Sequence, residues 1–277
     1  MKISDLKESY DGQKIPKIFH FIYMYKNKEI SFSEAISVLS AQHFNKGWKI
    51  IFHCYEKPIG PFASLLTKDI VFNYVENFDF YKFSQIHHAA HKADILRLIS
   101  LQETGGIYLD LDTICVKSFS ELRNFPAAMG IQAATEASAP KLCNAVIISS
   151  MESDFIKKWL NEYKFFRSKG RDILWDFHSG VIPFRIYIKN DKLVEILEHD
   201  AFFFPLWHDL SRMLLEENSM KYSKHFQNNF CFHLWNEFTK EDLKKITPEW
   251  INTSKSYYAH ISKEVLGTSS SGKENKK

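Results

Sequence analysis

At 277 residues, with 45% hydrophobic and 25% charged side chains, the chain has the balance of a globular protein long enough to bury a sizeable core. A net charge of +3 is too small for the concentrated basic face of a nucleic-acid binder and excludes that partner class, while it suits an anionic ligand or a weak approach to an acidic membrane. Cys54, Cys115, Cys143 and Cys231 stand far apart without a C-x-x-C spacing, which argues against a disulfide framework or structural zinc and for reduced thiols in a cytoplasm. Met1 to Tyr10 lacks the apolar run of a secretory signal, and no stretch reaches the ~18 apolar residues of a membrane span. The expectation is a cytoplasmic protein, at most peripheral at the inner face of the cytoplasmic membrane.

Ile15 to Met24, IPKIFHFIYM, opens at a proline and is apolar, β-branched and aromatic, which predicts a buried first strand. Ser31 to Phe44 predicts a helix, with Ser31 or Ser33 as cap, Glu34 in the first turn and Ile36, Leu39 and Phe44 on a partial apolar face. Trp48 to Tyr55 and Asp69 to Tyr74 are the next strands, parted by Pro58, Gly60 and Pro61. Strand, helix, strand is the order of a parallel α/β sheet, and such sheets place ligands at the carboxyl ends of their strands. His87 and His91, four apart, raise zinc. With no H-E-x-x-H and no cysteine nearby, they are taken as helix-start residues close to the site.

Ala90, Ala93, Leu96, Leu98, Ile99 and Leu101 have the spacing of an amphipathic helix, which Gly105 and Gly106 stop. Beyond it Ile107, Leu109 and Leu111 alternate with Tyr108, Asp110 and Asp112. A period of two predicts one strand with both carboxylates on the same face, about 7 Å apart at ~3.3 Å per residue. Two bare carboxylates repel each other and lift a pKa; a divalent cation removes that penalty, and hard oxygen ligands favour Mg²⁺ or Mn²⁺. Asp94 and Arg97, three apart on the preceding helix, are either a local ion pair or a wall of the site, with Arg97 offering its planar fork to an oxygen-rich ligand.

Ala127 to Gln132 and Asn144 to Ser150 predict two more strands, joined by a polar, mobile loop over 134–142. Ser153 to Arg167 predicts a helix with Phe155, Ile156, Trp159, Leu160, Tyr163 and Phe166 on its face, and Trp175 to Gly180 interrupts the pattern. Asp191 to Glu198 predicts a short helix, and Phe230 to Trp235 the last strong strand. The chain divides into a single catalytic domain, 1–266, and a disordered tail, 267–277, rich in Ser and Lys.

Ala93, Asp94, Arg97, Gly105, Gly106, Tyr108, Leu109, Asp110 and Asp112 follow the order (S/A)-D-x-x-R, paired glycine, Y-L-D-x-D. In this the chain resembles the DXD-containing, sugar-binding glycosyltransferases of family 32 and is similar to the catalytic core of the large clostridial glucosylating toxins. Pro16, Lys17 and His20 match the family's I-P-K-x-x-H, with Tyr23 where Trp is more usual. His233-Leu234-Trp235-Asn236 resembles its C-terminal H-x-W-N element.

The resemblance implies an α/β fold of GT-A type, with a Rossmann-like, mostly parallel central sheet flanked by helices. It implies a retaining transferase that moves a hexose or N-acetylhexosamine from a UDP-sugar to a glycan or glycolipid, here assigned to bacterial capsule, lipooligosaccharide or other surface polysaccharide. Asp110, Asp112 and His233 would hold Mn²⁺ or Mg²⁺, although a histidine on an apolar strand is also a common core residue. Asp94, Arg97, Asp110 and Asp112 are the expected catalytic residues. Phe21, Ile22, Tyr23, Tyr108, Asn144 and Asn236 join Asp94, Arg97 and Asp110 against the donor. Trp175, His178 and Ser179 are expected on the acceptor side, where Ser179-Gly180-Val181 departs from the family's T-G-P. A toxin-like transfer to protein, a non-catalytic sugar-nucleotide-binding protein, and a phosphatase of the haloacid-dehalogenase type remain as alternatives; the last prefers Thr or Val where Ile114 stands.

Overall fold

The structure, a computed structural model, describes residues 12–66, 69–132 and 141–267; most of the loop expected over 134–142, and the tail after Gly267, lie outside the described residues. Its strands are β1 (Ile18–Tyr23), β2 (Lys49–Cys54), β3 (Ile70–Tyr74), β4 (Phe80–Tyr81), β5 (Ser84–Gln85), β6 (Gly106–Leu109), β7 (Thr113–Cys115), β8 (Ala127–Gln132), β9 (Lys141–Ser149), β10 (Glu195–Leu197) and β11 (Cys231–His233). Seven of them form one sheet in the order β10-β8-β9-β6-β1-β2-β3. Six run the same way and β9 alone runs against its neighbours β6 and β8. This is the mostly parallel sheet expected of a GT-A-type fold. β1 is buried along its whole length because both faces are covered, as in any central parallel strand: Phe19, Phe21 and Tyr23 enter one apolar cluster and Ile22 the other.

Around the sheet lie α1 (Phe32–Phe44), α2 (Ala89–Thr104), α3 (Asp154–Glu162), α4 (Ile182–Lys189), α5 (Trp207–Leu210), α6 (Asn236–Leu243), α7 (Pro248–Thr253) and α8 (Tyr257–Val265). Ser31 and Glu34 form a reciprocal capping box at the start of α1. Among the described residues no helix is long and apolar enough to cross a membrane. Gly105 and Gly106 stop α2 at φ +66° and +111°, where a side chain is strained. A Cβ on Gly106 would also sit 2.6 Å from the Ile18 carbonyl oxygen. The glycine pair therefore lets β6 lie directly against β1, and His20 fastens it there, with Nε2 2.9 Å from the Gly105 carbonyl oxygen.

Two expectations are corrected. The acid pair does not share a strand: β6 ends at Leu109, and the Asp110 carbonyl accepts from the Thr113 N–H at 3.1 Å and the Thr113 hydroxyl at 2.8 Å. Leaving the sheet frees Thr113–Cys115 to pair antiparallel with β11, and alternation alone does not reveal that competing pairing. Residues 191–198 are not a helix. After a 3₁₀ turn at Asp191–Leu193, β10 covers the open edge of β8 and satisfies backbone groups that a helix there would leave bare.

Candidate active site

The turn at Asp110–Thr113 sits at the carboxyl end of β6, where an open parallel sheet receives ligands. Behind it, the Cys115 N–H donates to Ser40 Oγ of α1 at 2.9 Å, which seats β7. The β7–β11 register sets His233 opposite Thr113 and its Nε2 3.3 Å from Asp112 Oδ2. Trp235 then adopts a left-handed conformation, φ 54° and ψ 46°, that folds the chain back over the acids. As a result the Leu234 N–H reaches the Asp112 carbonyl at 2.7 Å and the Asn236 N–H reaches Asp112 Oδ2 at 2.9 Å.

One ligand atom from each of Asp110, Asp112 and His233 lies within 4.8 Å of the others. Burial alone would raise Asp112, but the His233 imidazole and the Asn236 N–H together hold it below the usual carboxylate range. Burial pushes His233 down, and Asp112 and Asp110 outweigh it and hold the imidazole above its ordinary value. The site thus already draws a positive charge between its carboxylates. Nδ1 of His233 is buried with no hydrogen-bond partner. Two carboxylates and an imidazole converging at the end of a sheet fit Mn²⁺ or Mg²⁺, with positions left for ligand oxygens.

Arg97 is turned inward. Its guanidinium is 3.2 Å from Asp94 and 3.1 Å from Asp110, donates to the Asn144 carbonyl at 2.7 Å and lies 4.3 Å over the Tyr108 ring. The fork expected to meet a ligand is instead committed to the protein, because a buried cation needs these partners. Asn144 Nδ2 donates to Asp94 Oδ1 at 2.7 Å, and the Tyr108 hydroxyl donates to Asp110. Burial raises Asp94, and Arg97 only partly opposes that. Asp94, Asn144, Tyr108, Asp110, Asp112, His233 and Asn236 thus form one connected group through Arg97 and the turn.

The first strand does not present its residues to this group. Phe21 and Ile22 are core side chains, and Tyr23 is 1% exposed with its hydroxyl donating to the Lys28 carbonyl at 2.8 Å. The exposed aromatic is Tyr25, two residues on, 44% exposed, packed edge-on against Tyr23 at 5.1 Å and close enough to feel the charges of Asp110 and Asp112. The alternation of Phe21, Tyr23 and Tyr25 was the available signal.

Trp175 packs against His88 at 4.8 Å and His91 at 4.5 Å, and its carbonyl is 3.0 Å from His91 Nε2, so His91 is engaged within the protein rather than with His87. Arg171 lies over the Trp175 ring and forks onto Glu237, next to Asn236, which ties the Trp175 segment to the edge of the site. His178 is not a surface residue: it is 4% exposed among Tyr163, Phe166 and Phe177, and burial pushes its pKa down to about 4. Ser179 is half-buried in the same π-helical turn, Phe177–Val181.

Residues 25–129 match the family described as glycosyltransferase sugar-binding region containing DXD motif. The chain is 28% identical over 275 residues to Glucan organizing enzyme 1 of Cryptococcus neoformans var. grubii serotype A, covering 95% of this chain and 74% of that protein. Among solved structures it is similar to the PaToxG glycosyltransferase, at 17% identity over 92% of this chain and 88% of that one with a TM-score of 0.45. It is also similar to the galactosyltransferase LgtC in complex with donor and acceptor sugar analogs, at 13% identity over 93% and 98% with a TM-score of 0.46. Asp110-Leu111-Asp112 stands within the matched stretch with the D-x-D spacing for which that family is described.

Proposed function

We propose that the protein is a metal-dependent, retaining glycosyltransferase that moves a hexose or N-acetylhexosamine from a UDP-sugar to a glycan acceptor. The observation that carries this reading is the convergence of Asp110, Asp112 and His233 within 4.8 Å at the end of a parallel sheet. Breaking the sugar–phosphate bond leaves charge on a nucleoside diphosphate while the anomeric carbon becomes oxocarbenium-like. Mn²⁺ or Mg²⁺ held by the three side chains supplies Lewis-acid stabilisation of that leaving group.

The remaining work falls to the chain itself. Arg97 and Tyr108 fix the carboxylate of Asp110. Asn144 aims Asp94, which takes hydroxyls of the transferred sugar. Tyr25 offers a ring face to the uracil, and Trp175 offers one to the acceptor sugar. A glycan acceptor is favoured over protein by the relative named for glucan organisation. Retention is what the family resemblance implies.

A panel of UDP-sugars assayed for hydrolysis and transfer with and without Mn²⁺ tests the reading. One donor is expected to turn over only with metal, and Asp112→Asn is expected to abolish that turnover. Metal-independent hydrolysis that survives Asp112→Asn would sink it, and tight donor binding with no turnover for any acceptor would identify a binding protein instead.

A further inference from the structure

In the hairpin β4–β5, Phe80 is opposite Gln85 and Tyr81 opposite Ser84, which leaves Lys82 and Phe83 at the tip. Phe83 is 91% exposed and Phe80 63%. Ser84 Oγ donates to the Lys164 carbonyl at 2.8 Å and fixes the hairpin beside the segment that follows α3. That segment exposes Phe165 at 63% and Ile173 at 98%. A groove of about 470 Å³ lined by Ser84, Phe165, Phe166 and Arg167 marks the junction. Phe80, Phe83 and Phe165, so exposed on two segments that Ser84 ties together, mark a contact surface, unlike singly scattered apolar side chains.

Residues 79–84 and 162–173 carry five cations, Lys82, Lys164, Arg167, Lys169 and Arg171, and three acids, Asp79, Glu162 and Asp172. Lys82, Lys164, Arg167 and Lys169 lie in the same two segments as the exposed rings, and among the described residues none of the four is paired with a carboxylate; Lys82 and Lys164 lie over Tyr81 and Phe165 at 5.8 and 4.8 Å. Glu162 is half-buried at the end of α3, and the other two acids are engaged elsewhere. Asp79 holds Lys92 at 2.6 Å, and Asp172 accepts from the backbone N–H groups of Lys169 and Leu174 at 2.9 Å each. Protein-binding patches are depleted in lysine. Separate aromatic tips standing among long cationic side chains have instead the composition of surfaces that sink rings into a headgroup layer and set ammonium and guanidinium groups against lipid phosphates.

We propose that the β4–β5 tip and residues 164–173 are a docking surface for an anionic lipid membrane. Phe80, Phe83, Phe165 and Ile173 enter the headgroup layer, and the four cations meet its negative charge. The segment runs on into Arg171 and Trp175, so the docked surface adjoins the acceptor side of the site. The proposal does not rest on the transfer reaction, because vesicle binding requires neither donor nor metal.

Sedimentation of the full chain with vesicles of phosphatidylcholine, with and without phosphatidylglycerol, tests it. Binding is expected only to the anionic vesicles and is expected to weaken with salt. Phe83→Ser with Phe165→Ser is expected to lower the partition at least tenfold, and Lys164→Gln with Arg167→Gln by about fivefold for each charge removed. Both pairs should keep the melting temperature and the donor hydrolysis of the parent, and each decides the matter should the other fail to fold. The proposal is overturned if the parent stays in solution with anionic vesicles, if it binds neutral vesicles equally, or if a folded variant pair binds as the parent does. A parent that ignores vesicles but cross-links through position 83 to a defined protein overturns it in favour of a protein partner.

Discussion

Arg97 shares its guanidinium between Asp94 and Asp110 and is itself buried, so its loss leaves two carboxylates without their cation. Arg97→Met removes that cation and is expected to lower unfolding free energy by about 3 kcal/mol or more, measured by urea titration, whereas Arg97→Lys keeps the charge without the fork and is expected to fall between. A Met variant as stable as the parent would contradict this. On the proposed reading His233→Ala removes a ligand rather than a supporting partner. Its Mn²⁺ affinity by calorimetry is expected to fall by more than the about 10- to 100-fold that a lost outer partner costs. On the proposed reading Tyr25→Ala removes a stacking face worth about 1–3 kcal/mol, so KM for the donor is expected to rise about 5- to 150-fold while kcat changes little and Tyr25→Phe stays near the parent. Unchanged KM in Tyr25→Ala would move the base elsewhere.

At the scale of elements, the sequence revealed what local pattern and motif control. The capped helix α1, the run of β1 to β3, the glycine stop after α2 and the placing of His233 beside the two acids were all legible, because each depends on neighbours a few residues away or on a motif of fixed spacing. What escaped depends on partners distant in sequence. The acids continue a strand pattern, but β11 draws Thr113–Cys115 out of the sheet and turns the chain at Asp110. Nothing local marks Trp235 as left-handed; its Nε1 donor to the Pro205 carbonyl at 3.1 Å and its ring against His233 at 4.3 Å hold it there. Arg97 looked like a ligand-facing fork because helix spacing does not say which way a long side chain turns. The glycine pair gives the element-scale prediction. Gly106→Ala adds a strained φ and a contact with the Ile18 carbonyl, and is expected to cost at least about 2 kcal/mol, visible as a lowered urea midpoint.

For the whole molecule, three buried histidines weaken the fold in acid, while His233, held above its ordinary value, works the other way. Burial holds His20 at about 4 against the opposing bond to the Gly105 carbonyl, pushes His53 well below its ordinary value, and holds His178 at about 4. An unfolded chain protonates these groups below about 6.5 while the native chain does not, so the unfolded state binds more protons and stability falls as pH drops from about 6.5 toward 4. His20 alone contributes about 3 kcal/mol to that fall. Chemical denaturation at pH 7, 6, 5 and 4 checks it, and a flat profile would show that these histidines are protonated in the native state.

The antiparallel pairing of Thr113–Cys115 with Cys231–His233 also orders events during synthesis. A nascent chain carries both acids long before it carries their histidine, since the Asn236 N–H closes on Asp112 across 124 positions. The three-sided cluster is therefore complete only once the late segment has threaded home, and a single proteolytic nick in the stretch between them that let β11 drift away would dismantle it while leaving its two carboxylates in place.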